Sequence, residues 1–279
     1  MKIIEAVEKI KEWHQPYIEK EDTRDKFLCG DPGIECTGIA VTCCATLEVM
    51  KKAAAEGINL IISHEGISYN YEKVQQADQF TNEVLLAKLQ FAKEHGIVVW
   101  RDHDHMHGSG GPMMKERIRE DMIFYGTMKE LGWEDYLISD PMKPLWFRIP
   151  KTTAGNLAEE IKEKWGLNGL RIVGDPDCEV ETVYFCEHVI ANKFDGYDVP
   201  AMDNAQKADV MIPLEIVDYT LTQYVRDAVS LGMNKVIFEM GHFNGEELGM
   251  KYLEKVLPEV FDHQLRVIYI QSGDTFRYI

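Results

Sequence analysis

Gly241-His242-Phe243-Asn244-Gly245-Glu246 places an imidazole and a carboxylate four residues apart, where the apolar run Lys235-Val236-Ile237-Phe238 gives way to Leu248-Gly249-Met250-Lys251-Tyr252-Leu253. Side chains at i and i+4 lie one turn apart on one helix face, so one metal ion, or two adjacent ones, can take both as ligands. Alone, such a pair is common on exposed helices, where the two groups need only interact mildly. The other histidines give it weight. Three of the nine fall in Arg101-Asp102-His103-Asp104-His105-Met106-His107, directly after the β-branched run Gly96-Ile97-Val98-Val99-Trp100. If the backbone stays extended, His103, His105 and His107 project to one face, and Asp102, Asp104 and Met106 to the other. A solvated polar loop is the plainer reading, but a short His-rich tract favours metal by composition. A third apolar run, Ile58-Asn59-Leu60-Ile61-Ile62, ends in Ser63-His64-Glu65-Gly66. Ligand sites in open α/β sheets form outside the carboxyl ends of the strands, and three strand candidates deliver His or Glu there.

The chemistry of such a site is hydrolytic. A divalent ion lowers the pKa of a bound water from 15.7 toward roughly 7, and a pair of ions can also clamp the attacking and leaving oxygens. Glu65 or Glu246 would serve as general base if not fully engaged with metal. Mixed His and carboxylate ligands accept zinc, iron or manganese.

The elements that must position these groups alternate along the chain. Strands are expected at Gly38 to Thr42, Leu60 to Ile62, Val98 to Trp100, Leu145 to Ile149, Thr182 to Phe185, Val210 to Pro213, Val236 to Phe238 and Arg266 to Tyr269. Helices are expected at Ile3 to His14, Leu47 to Glu56, Thr81 to Glu94, Met114 to Leu131, Ala154 to Trp165, Thr220 to Leu231 and Glu246 to Leu257. This alternation argues for α/β layers rather than a helical bundle. Pro141, Pro144 and Pro150 mark a boundary, so an N-terminal half over 1–140 would carry the first two motifs and a C-terminal half over 141–279 the third.

The motifs together resemble those of the NIF-three-like dinuclear metal-centre family, whose members often bear the name type 2 GTP cyclohydrolase I. Ile61-Ile62-Ser63-His64-Glu65 stands at the family's strand ending in His-His-Pro. His103-Asp104-His105-Met106-His107 stands at its His-Thr-Asn-Leu-Asp, and Gly241-His242 with Glu246 at its Gly-His, three residues, Glu. The opening segment Met1 to Ile10, Leu170 to Asp175 and Ala208 to Glu215 are also similar in character to the family. The resemblance implies two similar α/β halves with mixed sheets packed around a central metal-site cleft. It also implies one or two divalent ions per chain, a nucleotide-like or phosphoester substrate, and toroidal homohexamers. The metal ligands it implies are His64, His107, His242 and Glu246, with Glu65 and His103 as additions.

Three departures follow. Ser63, a poor ligand, replaces the first His; Glu65 replaces the Pro and supplies the lost ligand if it turns inward; His107 replaces a metal-bridging Asp. A shift of register would bring Asp104 or His105 to that last position instead. Phe185-Cys186-Glu187-His188 stands where the family has a Gly-rich turn, with His188 read as a local polar contact. Glu215 matches a family Glu near the active site, and a solvated strand-end Glu is nearly as good a reading. A metal-dependent hydrolase and a non-catalytic metal-binding or regulatory scaffold with a remodelled centre are both compatible with this pattern.

Composition narrows the field. With 279 residues, 45% of them hydrophobic, the chain can bury a large core. Its net charge of −17 argues against nucleic-acid and anionic membrane surfaces as partners. Neither a signal-peptide pattern nor an apolar stretch of about 20 residues is present, so a cytoplasmic location is expected. The six cysteines form no Cys-x-x-Cys pair and read as reduced, mostly structural thiols, and the 13 methionines as core filler.

Overall fold

Apolar residues dominate the strands β2 (Ile39–Thr42), β3 (Leu60–Ser63) and β4 (Val98–Arg101), and every residue in the three is buried. Runs of this kind suit the middle of a parallel sheet covered on both faces. The computed structural model describes residues 1–17, 21, 23–69, 82–108, 119–189 and 198–279, with only the backbone of 198–201. The chain divides into two compact units, 1–126 with 249–272, and 127–248 with 273–279.

In the first unit the sheet order is β1-β4-β3-β2-β10, with β1 (Lys26–Cys29) and β10 (Val267–Tyr269) at its edges. β1 runs antiparallel to β4, and all other pairs are parallel. Alternate side chains leave the strands in opposite directions. Ile39, Val41, Leu60, Ile62, Val98 and Trp100 join one core with Ile3, Val7 and Ile10 of α1 (Ile3–Trp13) and Leu253 and Leu257 of α8 (His242–Val260). Ala40, Ile61 and Val99 join the other, against Val49, Met50 and Ala53 of α2 (Leu47–Ala55) and Ala92 of α3 (Glu83–Glu94). Thr46 Oγ1 and Asn82 Oδ1 accept the Val49 and Leu85 N–H groups and fix where α2 and α3 begin.

The second unit's sheet has the order β5-β7-β8-β9-β6: β5 (Trp146–Thr153), β6 (Arg171–Val173), β7 (Glu179–Val189), β8 (Val210–Ile216) and β9 (Val236–Glu239). β7, β8 and β9 are parallel, and β5 and β6 are antiparallel edges. The helices here are α5 (Ala154–Trp165), α6 (Asp198–Ala205) and α7 (Leu221–Ser230). Two α/β halves with mixed sheets were the expected architecture, and each sheet has five strands.

Several boundaries differ from the sequence expectation. β1, β6 and α6 were not anticipated: β1 and β6 are short, partly exposed edge strands without an alternating pattern, and α6 is two turns long. α8 begins a turn earlier than Glu246, at His242, and α4 (Met122–Leu131) begins later than Met114 because Asp121 starts it; residues 114–118 and Thr81 lie outside the described residues. Whereas the expected division fell at 140, residues 249–272 group with the first unit because β10 pairs with β2, and 273–279 with the second because Asp274 holds Asn168 and Asn244. All six cysteines are free thiols, and among the described residues no helix is long and apolar enough to cross a membrane.

Gly126 of α4 and Gly249 of α8 touch through their backbones. A Cβ on Gly249 would fall 2.5 Å from the Ile123 Cα and carbonyl oxygen, and one on Gly126 3.0 Å from Gly249 Cα. At an open helical site Gly→Ala stabilises by roughly 0.5–1 kcal/mol. Here the sign reverses: Gly249→Ala lowers the thermal midpoint, and a raised midpoint would show that the helices part without cost.

Candidate metal centres

The carboxyl end of β3 delivers His64, and that of β4 leads into His103. After Arg101 the backbone does not stay extended. It turns, with His107 N–H donating to the His103 carbonyl at 3.2 Å and Gly108 N–H to that of His105 at 3.0 Å. The expected alternation of faces is therefore wrong: His103 and His107 lie one turn apart on one side, and His105 goes elsewhere. The turn forms because the Asp25 carboxylate accepts the backbone N–H groups of His103 (2.5 Å), Asp104 (2.8 Å) and His105 (2.9 Å). Burial works against the Asp25 charge, but the hydrogen bonds from His105 and these amides hold its carboxyl below the usual value.

This folding brings His64, His103 and His107 together, with one ring nitrogen of each within 4.8 Å of the others. The His64 and His103 rings stack with centroids 4.4 Å apart, and His107 stands edge-on to both at 5.1 and 4.8 Å. All three are buried. His64 Nδ1 lies 3.1 Å from the Asp102 carbonyl, which needs a donor, so Nδ1 carries the proton and Nε2 the lone pair. His107 Nδ1 is likewise set by Asp121 Oδ2 at 3.1 Å. Burial first, then the charges of His64, His107, Arg101 and Arg24, holds the His103 pKa well below the ordinary value, so this ring is neutral at pH 7. Imidazoles oriented by fixed partners, with His103 held neutral, suit a divalent ion, so these residues fit one.

Glu65 and Ser63 take other partners. Glu65 Oε2 is 2.8 Å from Arg101, and Oε1 is 3.9 Å from His103 Nε2. Ser63 Oγ accepts from Ala45 N–H at 3.0 Å and lies 2.8 Å from the Glu65 carbonyl, tying the end of β3 to the loop after β2. His105 sits in a separate buried network, with Nδ1 2.5 Å from Asp25 and His14 Nε2 3.0 Å from Asp102.

In the second unit, His242 opens α8 and Glu246 follows one turn on, with His242 Nε2 3.2 Å from Glu246 Oε2 as the spacing anticipates. His242 Nδ1 is also 2.9 Å from Glu215 Oε2. Glu215 reaches His188 Nδ1 with its other oxygen at 2.7 Å. Burial opposes a charge on His242, yet Glu246 and Glu215 outweigh it and push its pKa up to about 12. Burial likewise opposes the Glu215 charge, but the hydrogen bonds from His188 and His242 bring its pKa down to about 2.

Asp25 and Asp121 were not legible as site residues. Asp25 is about 78 residues from the turn it holds, and no local pattern links them. Asp121 did carry a signal, an Asp just before an apolar helix; its Oδ1 accepts the Phe124 N–H at 3.4 Å as an N-cap.

These features define an α/β protein with His and carboxylate groups gathered at the carboxyl ends of parallel strands. Residues 1–105 match the family model Duf34/NIF3 (NGG1p interacting factor 3). No curated protein matches the sequence significantly. Similar solved structures include a Staphylococcus aureus hypothetical protein (18% identity, TM-score 0.67, covering 100% of this chain and 99% of that one). A Bacillus cereus protein related to NIF3 is 15% identical with a TM-score of 0.67, covering 100% of this chain and 99% of that one. Reduced HcgD from Methanocaldococcus jannaschii is 18% identical with a TM-score of 0.59, covering 99% of this chain and 98% of that one. At such identities the likeness is one of fold. The family match covers the first 105 residues, and the whole chain shares the fold of a protein related to NIF3, the resemblance its motifs led us to expect.

Two outcomes follow from this geometry. Asp121→Ala removes the support for His107 and weakens zinc binding about 10- to 100-fold, measured by competition with a chromophoric chelator; unchanged affinity would remove His107 from the centre. His242 has a pKa of about 12 in the fold against an ordinary 6.5, so its stabilising charge is fully present below pH 6.5 and is lost as pH climbs toward 12. Between about pH 7 and 9, metal-free wild type therefore loses stability with pH more steeply than His242→Gln, by up to one proton's slope of roughly 1.4 kcal/mol per pH unit. Parallel urea-denaturation curves for the two would contradict it.

Proposed function

We propose that the chain is a metal-dependent hydrolase acting on a nucleotide-like or phosphoester substrate. The observation that carries this reading is the buried group of His64, His103 and His107, whose ring nitrogens lie within 4.8 Å of one another. Three histidines with a fourth position left to water is a ligand pattern of catalytic zinc sites. A divalent ion held there supplies a water acidified toward a pKa of about 7 and an electrophile for a phosphoryl or carbonyl oxygen. The chain's own residues do the rest. The Asp102 carbonyl and Asp121 hold two imidazoles by their Nδ1 atoms, and Arg101 anchors Glu65 beside His103. In this reading Glu65 accepts the proton of the hydrolytic step rather than completing the ligand set. The charge of −17 fits the need for a cation, since a phosphate-bearing substrate otherwise meets an acidic surface.

One observation favours the scaffold reading: the Arg101 ion pair already occupies the carboxylate assigned as base. Turnover decides between the two. Chain loaded with Zn2+ or Mn2+ is incubated with GTP, nucleoside monophosphates and bis-p-nitrophenyl phosphate, and products are separated chromatographically. The hydrolase reading predicts turnover that a chelator abolishes and His107→Ala lowers by at least about 100-fold. Equal rates in the loaded wild type and the variant would leave only the scaffold.

A further inference from the structure

The pairing of β7 with β8 shifts register on either side of Glu187, which lies opposite Pro213, and sets His188 opposite Glu215. Glu187 has a φ of 55°, left-handed backbone that a non-glycine residue seldom adopts, and it is ion-paired to Lys143. An interruption of this kind re-aims a side chain, and such breaks gather beside functional sites. Here the side chain re-aimed is an imidazole, and it meets a carboxylate. Glu215 stands between two imidazoles, with Oε1 2.7 Å from His188 Nδ1 and Oε2 2.9 Å from His242 Nδ1. Ligand atoms of the three residues lie within 4.8 Å of one another. Their side chains are 25%, 34% and 27% exposed, so a hydrated ion can reach them. Glu246 adds a second carboxylate at 3.2 Å from His242 Nε2, and two such charges balance a divalent cation.

We propose that His188, Glu215 and His242 bind a divalent ion of borderline hardness, such as Zn2+, Fe2+ or Mn2+, with Glu246 supporting His242. The inference rests on the metal-binding reading above and adds to it two ligands, His188 and Glu215, that the sequence motifs do not assign. Two imidazole nitrogens and a carboxylate oxygen suit these ions better than Ca2+ or Mg2+, which prefer all-oxygen sites. The ligands come from the ends of two adjacent parallel strands and the first residue of a helix, elements fixed by the sheet.

The test is Co2+ titration of the full metal-free chain, followed by visible absorption, with bound metal counted by elemental analysis. Glu215→Gln and His188→Ala should each weaken Co2+ binding at least about tenfold and change the d–d bands, while the circular dichroism of the metal-free variants stays that of the wild type. Wild-type affinity and spectrum in both variants would overturn the proposal. If His107→Ala loses metal while these two retain it, the His64 group stands and this one falls; if none of the three loses metal, both fall. Should a variant fail to fold, the wild-type chain labelled with 15N-histidine decides. Saturating Zn2+ moves the His188 Nδ1 resonance if the ring is a ligand, and an unmoved resonance rejects it.

Discussion

Three backbone N–H groups converging on one buried carboxylate, Asp25, set the geometry of the first candidate centre. A buried carboxylate is costly unless its oxygens are satisfied, and a chain leaving a strand has amides to satisfy. Each need meets the other, and the price of strand ending is a turn instead of a disordered exit. Without that turn, His103 and His107 would leave β4 in extended backbone rather than close on His64. His105, carried to the opposite side, becomes part of the anchor, its ring on the same Asp25. The His-rich tract thus serves two tasks: His103 and His107 face the ligand group, and His105 fastens the loop that presents them.

The two sheets solve the same problem in their own units. Parallel strands end at a common edge, and polar residues at or just past that edge share a small volume. In the first unit those residues are His64, His103 and His107, with Asp121 and a carbonyl setting the ring tautomers. In the second they are His188, Glu215 and His242, with the carboxylates setting the charge. The first group is therefore buried, with His103 held neutral; the second is an ionic cluster in which protons hold the place a cation would take.

Much of this was readable from the residues. The apolar runs at Leu60–Ser63, Val98–Arg101 and Val236–Glu239 are long enough in β-branched residues to declare themselves, and the candidate ligands follow where the apolar sequence gives way to polar residues. The His242 to Glu246 spacing gave the helix face directly. The path after β4 was not legible, because its turn is dictated by Asp25, a partner remote in sequence. Nor was the role of Ser63, which is spent on the Ala45 amide and the Glu65 carbonyl rather than on metal. His188 read as a local contact for a similar reason: the interruption at Glu187 that re-aims it leaves no periodic trace.

X-ray absorption at the metal edge of chain purified without chelator tests the central claim most directly. The account predicts a first shell containing imidazole nitrogens at about 2.0–2.1 Å, with the multiple-scattering signature of at least three histidine rings falling by one ring in His64→Ala. An oxygen-only shell, or a spectrum that His64→Ala leaves unchanged, would contradict it.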